Sequence, residues 1–200
     1  MAKSRLRGAL GGVRHETLAL ALAQDTVAAV LASEPVGEVL VVTDDREAGE
    51  ALRPLGARVV AEPSGGGLNP AFRLGARHAG DGWVAALTAD LPALRPAELA
   101  EALVAAAGRP TPARCFVADA PGTGTALLTA PPGLALEPRF GPASAAAHEA
   151  SGAFALTGAW PTLRRDVDTA ADLAAAGALG LGRHTAALVG ALCPAGAAEH

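Results

Sequence analysis

Short apolar, β-branched runs alternate along the chain with alanine-rich stretches whose apolar residues recur at helical spacing. The runs predicted to be strands are 38–43, 57–61, 83–88 and 114–118. The stretches predicted to be helices are 17–31, 46–55, 69–79 and 96–107. In the first helix, Gln24 and Asp25 lie on a different face from the apolar residues. Strands that are apolar on both faces and are separated by helices predict right-handed βαβ units and a mostly parallel sheet in an α/β fold.

The region 114–129 departs from this alternation. A tight turn at 119–122 joins the strand at 114–118 to a second strand that begins at Thr125, which predicts one antiparallel hairpin within the sheet. Further along, the apolar spacing predicts a strand at 163–168 and helices at 143–150, 170–178 and 183–189. No repeat of fixed period and no linker interrupts the chain, so residues 1–200 are predicted to form a single domain.

The predicted order of elements begins with a helix. A doubly wound sheet normally opens with a strand, and the loop after that strand holds phosphate at a helix N-terminus. Met1 occupies a position that should already lie within that loop, so we expect the first strand and part of the phosphate loop to be missing from this sequence. We expect the true start to lie upstream of Met1, with roughly 10–20 further residues, enough for one strand and a loop. The alternative is a fold that starts with a helix.

Composition narrows the class of protein. Half of the 200 residues are hydrophobic and 18% are charged, which argues against disorder. The formal net charge of −4 and an aromatic content of 3% disfavour a nucleic-acid partner. Two cysteines, Cys115 and Cys193, allow no disulfide framework and favour a reducing cytoplasm. No run of 18 strongly apolar residues is present, so no membrane helix is predicted. The short apolar segments behind the basic N-terminus are interrupted by Arg14, His15 and Glu16, so no secretory signal is predicted.

Acidic residues follow several predicted strands. Asp90 comes after the strand at 83–88, and Asp166 and Asp168 flank Val167. Ligands of open α/β sheets bind beyond the carboxyl ends of the strands, and paired carboxylates there suit Mg²⁺. A single such aspartate can equally cap the next helix, but after Asp90 that helix starts only near Pro96. Period-two alternation places Asp166 and Asp168 on one face.

Small residues form two candidate anion sites. The turn Gly122-Thr-Gly-Thr125 offers amides and hydroxyls to a phosphate or a carboxylate, or is an ordinary hairpin turn. Gly141 and Ser144 lead into a helix whose positive end could bind an anion, or the segment is a plain helix start.

Two further segments could contact a nucleotide. Lys3 and Arg5 form a basic run that could hold a polyphosphate, or that is simply solvated. The glycine loop at 65–69 could let the backbone approach a base or ribose, or is a flexible loop, and Asn69 is predicted to cap the following helix.

Other chemistry is disfavoured. The five histidines have no metal-ligand spacing and are predicted to be surface or capping residues, and Cys115 is predicted to be inert core. The serine-hydrolase and P-loop motifs are absent.

Eight short motifs in order resemble the phosphoenolpyruvate / 2-phospho-L-lactate guanylyltransferases of coenzyme F-420 biosynthesis, over nearly the whole chain. The segments that carry the resemblance are Lys3-Ser-Arg-Leu6, Val42-Thr-Asp-Asp45, Gly67-Leu-Asn69, Ala89-Asp-Leu-Pro-Ala-Leu94, Phe116-Val-Ala-Asp119, Gly122-Thr-Gly-Thr125, Arg139-Phe-Gly-Pro142 and Asp166-Val-Asp-Thr169. The alanine-rich composition is typical of a high-GC actinobacterium, and members of the family from that group use phosphoenolpyruvate.

The resemblance implies a three-layer, Rossmann-like nucleotidyltransferase fold that joins GTP to phosphoenolpyruvate and releases pyrophosphate. The residues to which it assigns roles are Asp90 and Asp166 for Mg²⁺, with Asp168 as a possible third ligand, Thr125, Gly141 and Ser144 for phosphoenolpyruvate, Lys3 and Arg5 for the GTP phosphates, and Gly67 and Asn69 for the nucleoside. A lactyl transferase is the implied downstream partner. The alternatives are 2-phospho-L-lactate as acceptor, another phosphorylated acceptor, or a non-catalytic relative.

Overall fold

The computed structural model describes residues 14–62 and 66–192. The helices are α1 (His15–Leu31), α2 (Arg46–Leu52), α3 (Leu68–His78), α4 (Pro96–Ala107), α5 (Ser144–Ala150), α6 (Pro161–Arg164), α7 (Ala170–Leu179) and α8 (Arg183–Leu192). The strands are β1 (Leu40–Thr43), β2 (Arg58–Ala61), β3 (Val84–Leu87), β4 (Cys115–Ala118), β5 (Thr125–Ala130) and β6 (Phe154–Ala155). Within these ranges, no helix combines the length and the apolar character that a membrane span requires.

The strands form two sheets. Strands β1 and β2 pair in parallel, and a second sheet has the order β3-β5-β4-β6. In that sheet β5 runs antiparallel to both β3 and β4, whereas β4 and β6 are parallel. Three of its four strands therefore point in one direction. The α/β class and the mostly parallel arrangement are confirmed, as is the antiparallel hairpin around the turn at 119–122.

Helices cover both faces of the four-stranded sheet. The face with Phe116 and Leu128 packs against α3 and α5. The face with Val117 and Leu127 packs against α4 and α6. Neighbouring residues of a strand point to opposite faces, so this division follows from the pleat and makes the structure three layers deep. The continuous apolar runs of these strands thus reflect burial on both sides.

A third apolar cluster lies between α1 and α7. Leu18 and Leu22 of α1 pack there with Ala93, Val167 and Leu173. Ala93 lies in the segment that connects β3 to α4, and Val167 lies between α6 and α7. Burial of these two residues brings the segments around Asp90 and Asp166 together on one side of the protein.

The predicted strand at 163–168 is wrong. Pro161 opens the short helix α6 instead, and the amides of Thr162 and Leu163 both donate to the Glu98 carboxylate of α4, at 2.8 and 3.3 Å. After α6 residues 165–168 form no strand, although Val167 N–H donates to the Asp90 carbonyl at 3.1 Å. The two-residue strand β6 was not predicted, because two residues carry no periodicity.

Candidate functional site

Three carboxylates meet beyond the end of β3. Asp90, Asp166 and Asp168 each offer one oxygen, and these oxygens lie within 4.8 Å of one another. Asp90 is buried and the other two side chains are half-buried. Val167 is fully buried between its acidic neighbours, as period-two alternation requires. The structure thus brings together all three residues predicted as metal ligands.

The backbone around Asp90 is held by α1. The Leu91 amide donates to Thr26 Oγ1 at 2.9 Å, and the Thr26 hydroxyl donates in turn to the Leu22 carbonyl at 2.9 Å. The bond from Val167 N–H to the Asp90 carbonyl joins this segment to the one that carries Asp166. Backbone and core contacts therefore set the spacing of the carboxylates.

Arg164 secures the chain just before Asp166. Its guanidinium donates to four backbone carbonyls, those of Ala118, Leu156, Gly158 and Ala159. Its own carbonyl accepts from Ala120 N–H at 2.8 Å. Burial lowers the pKa of Arg164, and the nearby Asp119 carboxylate partly offsets this. Arg164 therefore fastens the acidic segment to the ends of β4 and β6.

The donor set fits a hard divalent cation. Clustered carboxylate oxygens are what Mg²⁺ prefers in proteins, and Mg²⁺ usually keeps water and substrate phosphate oxygens as its other ligands. The described part of the chain offers this triad with no histidine or cysteine among the grouped atoms. The role of these residues as metal ligands stays a prediction.

A second cluster joins β5 to α5. Ser144 Oγ donates to Thr125 Oγ1 at 3.1 Å, and His148 Nδ1 lies 2.9 Å from the same oxygen. Ser144 and His148 are 2% and 0% exposed, and Thr125 is 7% exposed. Two of the three residues predicted to hold the acceptor are therefore in direct contact. Gly141 is next to them, since its carbonyl accepts from Ser144 N–H at 3.2 Å.

A β-bulge turns Thr125 toward α5. The register of the hairpin shifts between Val117 and Ala118, so that Ala126 is an extra residue in β5. In a regular strand Thr125 would share the face of Leu127, which packs with α4. The extra residue breaks the alternation, and the Thr125 side chain reaches the opposite layer instead.

The amides of the small-residue turn are already occupied. Thr123 N–H and Gly124 N–H each donate to the Asp119 carboxylate at 2.9 Å, and Gly122 N–H donates to the Asp119 carbonyl at 3.0 Å. Ala145 N–H of α5 donates to the Thr123 carbonyl. These three amides therefore have partners within the chain, as in an ordinary hairpin turn, and a contact between the turn and the acceptor stays a prediction.

Asn69 holds the backbone of Phe140. Its side-chain Oδ1 accepts from Phe140 N–H at 2.7 Å, and its Nδ2 donates to the Phe140 carbonyl at 2.8 Å. The predicted helix cap is wrong, because α3 begins at Leu68 with Gly67 at the N-cap and no side-chain cap. Gly67 has φ 75° and is exposed. Nucleoside contacts from Gly67 and Asn69 stay predictions, and Lys3 and Arg5 lie outside the described residues.

His148 does not follow the expectation for histidines. It is fully buried, with its Nε2 accepting from Arg139 N–H at 2.9 Å. Burial first, then the charges of Arg139 and Arg114, lowers its pKa to about 4. The signal in the sequence was its spacing: four residues after Ser144, one helical turn, on the same face. Cys115 does follow the expectation, being buried, and burial raises the pKa of its thiol.

Comparison with known proteins shows the family. Residues 18–167 match the model of the MobA-like NTP transferase domain. A phosphoenolpyruvate guanylyltransferase of Salinispora arenicola (strain CNS-205) is 63% identical over 97% of this chain and 90% of its own length. Proteins of the same name from Geodermatophilus obscurus and Streptomyces coelicolor are 57% and 54% identical, over 95% and 98% of this chain and 89% and 93% of their own lengths. The chain therefore belongs to the MobA-like NTP transferase family and, within it, groups with the phosphoenolpyruvate guanylyltransferases.

Proposed function

We propose that this protein is a phosphoenolpyruvate guanylyltransferase of coenzyme F-420 biosynthesis, which joins GTP and phosphoenolpyruvate to give enolpyruvoyl-2-diphospho-5'-guanosine and pyrophosphate. The observation that carries the proposal is the convergence of Asp90, Asp166 and Asp168 in a fold of this family. The names of the near-full-length relatives support the same substrates.

The residues present suit this chemistry. A phosphate oxygen of phosphoenolpyruvate forms a bond to the α-phosphorus of GTP, and the bond from that phosphorus to the β-phosphate bridging oxygen breaks. The attacking group is already an anion, so no general base is required. When bound, Mg²⁺ would supply positive charge that offsets the repulsion between the two anions and the charge of the leaving pyrophosphate. Asp90 and Asp166, with Asp168, would hold that ion.

The hydroxyl cluster supplies the acceptor subsite in this proposal. Thr125 would donate its hydroxyl to an anionic carboxylate or phosphate oxygen beside Gly141, and Ser144 would support the acceptor through its hydrogen bond to Thr125 Oγ1. Gly67 and Asn69 would contact the nucleoside, and Lys3 and Arg5 the GTP phosphates. We further propose a cytoplasmic location and a lactyl transferase that consumes the product.

Pyrophosphate release tests the function. The protein is incubated with GTP and Mg²⁺ and with phosphoenolpyruvate or 2-phospho-L-lactate in parallel, with a lactyl transferase present to draw off product. We expect release with phosphoenolpyruvate. Release with 2-phospho-L-lactate alone would move the assignment to that acceptor, from which phosphoenolpyruvate differs by one double bond. If the folded protein released no pyrophosphate with either acceptor, the result would contradict the proposal.

A matched pair of variants tests the carboxylate cluster. Asp90→Asn keeps the shape of the side chain but removes its charge, and we expect turnover to fall about 100-fold or more with little change in unfolding temperature. Asp81→Asn, at an exposed loop position, serves as the control and should keep full turnover. Unchanged turnover in Asp90→Asn would remove Asp90 from the site.

A further inference from the structure

We propose that His148 is a positioning residue of the acceptor subsite, which orients the Thr125 hydroxyl so that its proton points at an anionic oxygen of the bound acceptor. The proposal rests on the function proposed above, because it concerns the subsite for the phosphorylated carboxylate. It assigns to a buried histidine a part in substrate recognition without contact between that histidine and the substrate.

The tautomer of His148 follows from its partners. Arg139 N–H is a backbone donor 2.9 Å from Nε2, so Nε2 must offer a lone pair. A neutral imidazole carries one N–H, which must then lie on Nδ1. Nδ1 is 2.9 Å from Thr125 Oγ1, and His148 is therefore the donor in that pair.

The surroundings keep the ring neutral and in place. His148 is fully buried, and Arg139 and Arg114 are the charged groups that act on it, both of them positive. Burial and these charges outweigh a hydrogen bond with the Ser144 backbone, which acts in the opposite direction, and the resulting pKa of about 4 leaves the ring uncharged at neutral pH. The Phe140 ring lies edge-on at 5.2 Å and the Phe116 ring at 5.9 Å between centroids, so the imidazole is packed on two sides.

Two donors on one hydroxyl oxygen determine where its own proton goes. Thr125 Oγ1 accepts from His148 Nδ1–H and from Ser144 Oγ–H, which engages both of its lone pairs. The Thr125 proton then takes the remaining position about the oxygen, away from both neighbours, and the proposal places an anionic oxygen of the bound acceptor there. Thr125 becomes a donor only, which favours a carboxylate or phosphate oxygen and disfavours a ligand hydroxyl that needs an acceptor.

A pair of variants separates positioning from packing. The amide nitrogen of asparagine occupies the place of histidine Nδ1, so His148→Asn can still donate to Thr125 but leaves Arg139 N–H unpaired. Glutamine reaches the place of Nε2, so His148→Gln can accept from Arg139 but cannot donate to Thr125. Both variants lose the ring, and a purely structural role would make them alike.

Kinetics with phosphoenolpyruvate give the readout. We expect the KM for phosphoenolpyruvate to rise about tenfold more in His148→Gln than in His148→Asn, with the KM for GTP and kcat changed by less than about threefold. Equal KM values for phosphoenolpyruvate in the two folded variants would overturn the proposal.

Nitrogen NMR of the histidine rings tests the geometry without any turnover. The His148 ring signals, assigned through the backbone of the isotope-labelled wild-type protein, should show a neutral ring protonated at Nδ1 at pH 7. A ring protonated at Nε2 would overturn the proposal even if neither variant folds. If wild-type protein releases no pyrophosphate with either acceptor, the proposed function fails on its own, while the NMR result still decides the orientation of the hydroxyl.

Discussion

Several polar side chains near the site bind backbone rather than solvent. Asp119 accepts two turn amides, and Asn69 pairs with both backbone groups of Phe140. Such bonds supply partners for main-chain groups that would otherwise lack them in irregular segments. The sequence shows that these residues are polar and lie near glycines, but the same signature is typical of ligand contacts, so their partners could not be predicted.

Gly124→Ala tests the turn that Asp119 holds. A Cβ at this position would collide with the Asp119 carboxylate, and the carboxylate would have to leave the two amides it accepts. We expect a loss of about 1–3 kcal/mol in the free energy of unfolding, measured by urea titration, and a raised KM for phosphoenolpyruvate because Thr125 follows directly. Gly177→Ala is the control: its Cβ meets open space inside α7, so stability should hold or rise. If the two variants were equally stable, the turn would accommodate the added methyl group without loss, which would contradict the prediction.

At the scale of elements, helix positions followed closely from apolar spacing and from proline. Pro96 opens α4 and Ala107 ends it, as predicted, because proline suits the first helical turn. The structure differs from these predictions where a side chain of one element binds the backbone of another. The Glu98 carboxylate of α4 accepts the first amides of α6, which turns a strand-like pattern into a helix.

Asp25 anchors α8 to α1. It is buried, and its carboxylate accepts from His184 N–H at 2.9 Å and from Thr185 N–H at 2.8 Å, in the first turn of α8. Asp25→Asn keeps one acceptor oxygen and places an NH₂ beside the other amide. We expect a loss of about 2 kcal/mol in urea unfolding and faster hydrogen exchange in α8. The exposed Glu34→Gln should change stability by less than about 0.5 kcal/mol, and a similar value for Asp25→Asn would contradict the anchoring role.

Arg164→Lys tests the fastening of the acidic segment. Lysine keeps the charge but cannot match the planar guanidinium that donates to four carbonyls. We expect stability to fall by about 2 kcal/mol and kcat to fall more than the affinity for GTP, as Asp166 shifts. Arg46→Lys is the control, since Arg46 is exposed and its pair with Glu50 spans 3.6 Å; thermal unfolding should be unchanged. If Arg164→Lys were as stable and as active as Arg46→Lys, Arg164 would not be needed to hold the segment that carries Asp166.

At the scale of the whole molecule, the layers bury a histidine that must stay neutral. The pKa of His148 is about 4 in the folded protein against an ordinary value of 6.5, so the unfolded chain takes up the proton first. Stability therefore falls as pH falls from 6.5 to 4, by at most about 3 kcal/mol from this group. His148→Asn should lose that part of the pH dependence in urea titrations across this window, while other acidic and basic groups contribute equally to both proteins. Parallel pH profiles for wild type and variant would contradict the prediction.

The sequence by itself determined the class of fold, the order of the larger elements and the residue types of the site. Apolar periodicity reports burial, and burial on both faces of a strand requires layers on both sides, so β1 to β5 and seven of the eight helices within the described ranges were predictable. The place of Asp90 beyond β3 was predictable, since ligands of such sheets bind beyond strand ends, whereas Asp166 and Asp168 follow a helix instead of the predicted strand. That residues 1–200 form one domain stays a prediction.

Tertiary structure alone decided which partners the polar groups bind. The bulge at Ala126 sets the direction of Thr125. The fold places the His148 ring between the Thr125 hydroxyl and Arg139 N–H, groups that are 23 and 9 residues away from it in the sequence. Hydrogen-bond partners depend on distances between elements, which no local pattern encodes. The carboxylate triad depends on both kinds of information. Its residue types came from the sequence, and the approach of its oxygens to within 4.8 Å of one another came from packing Val167 beside Asp90.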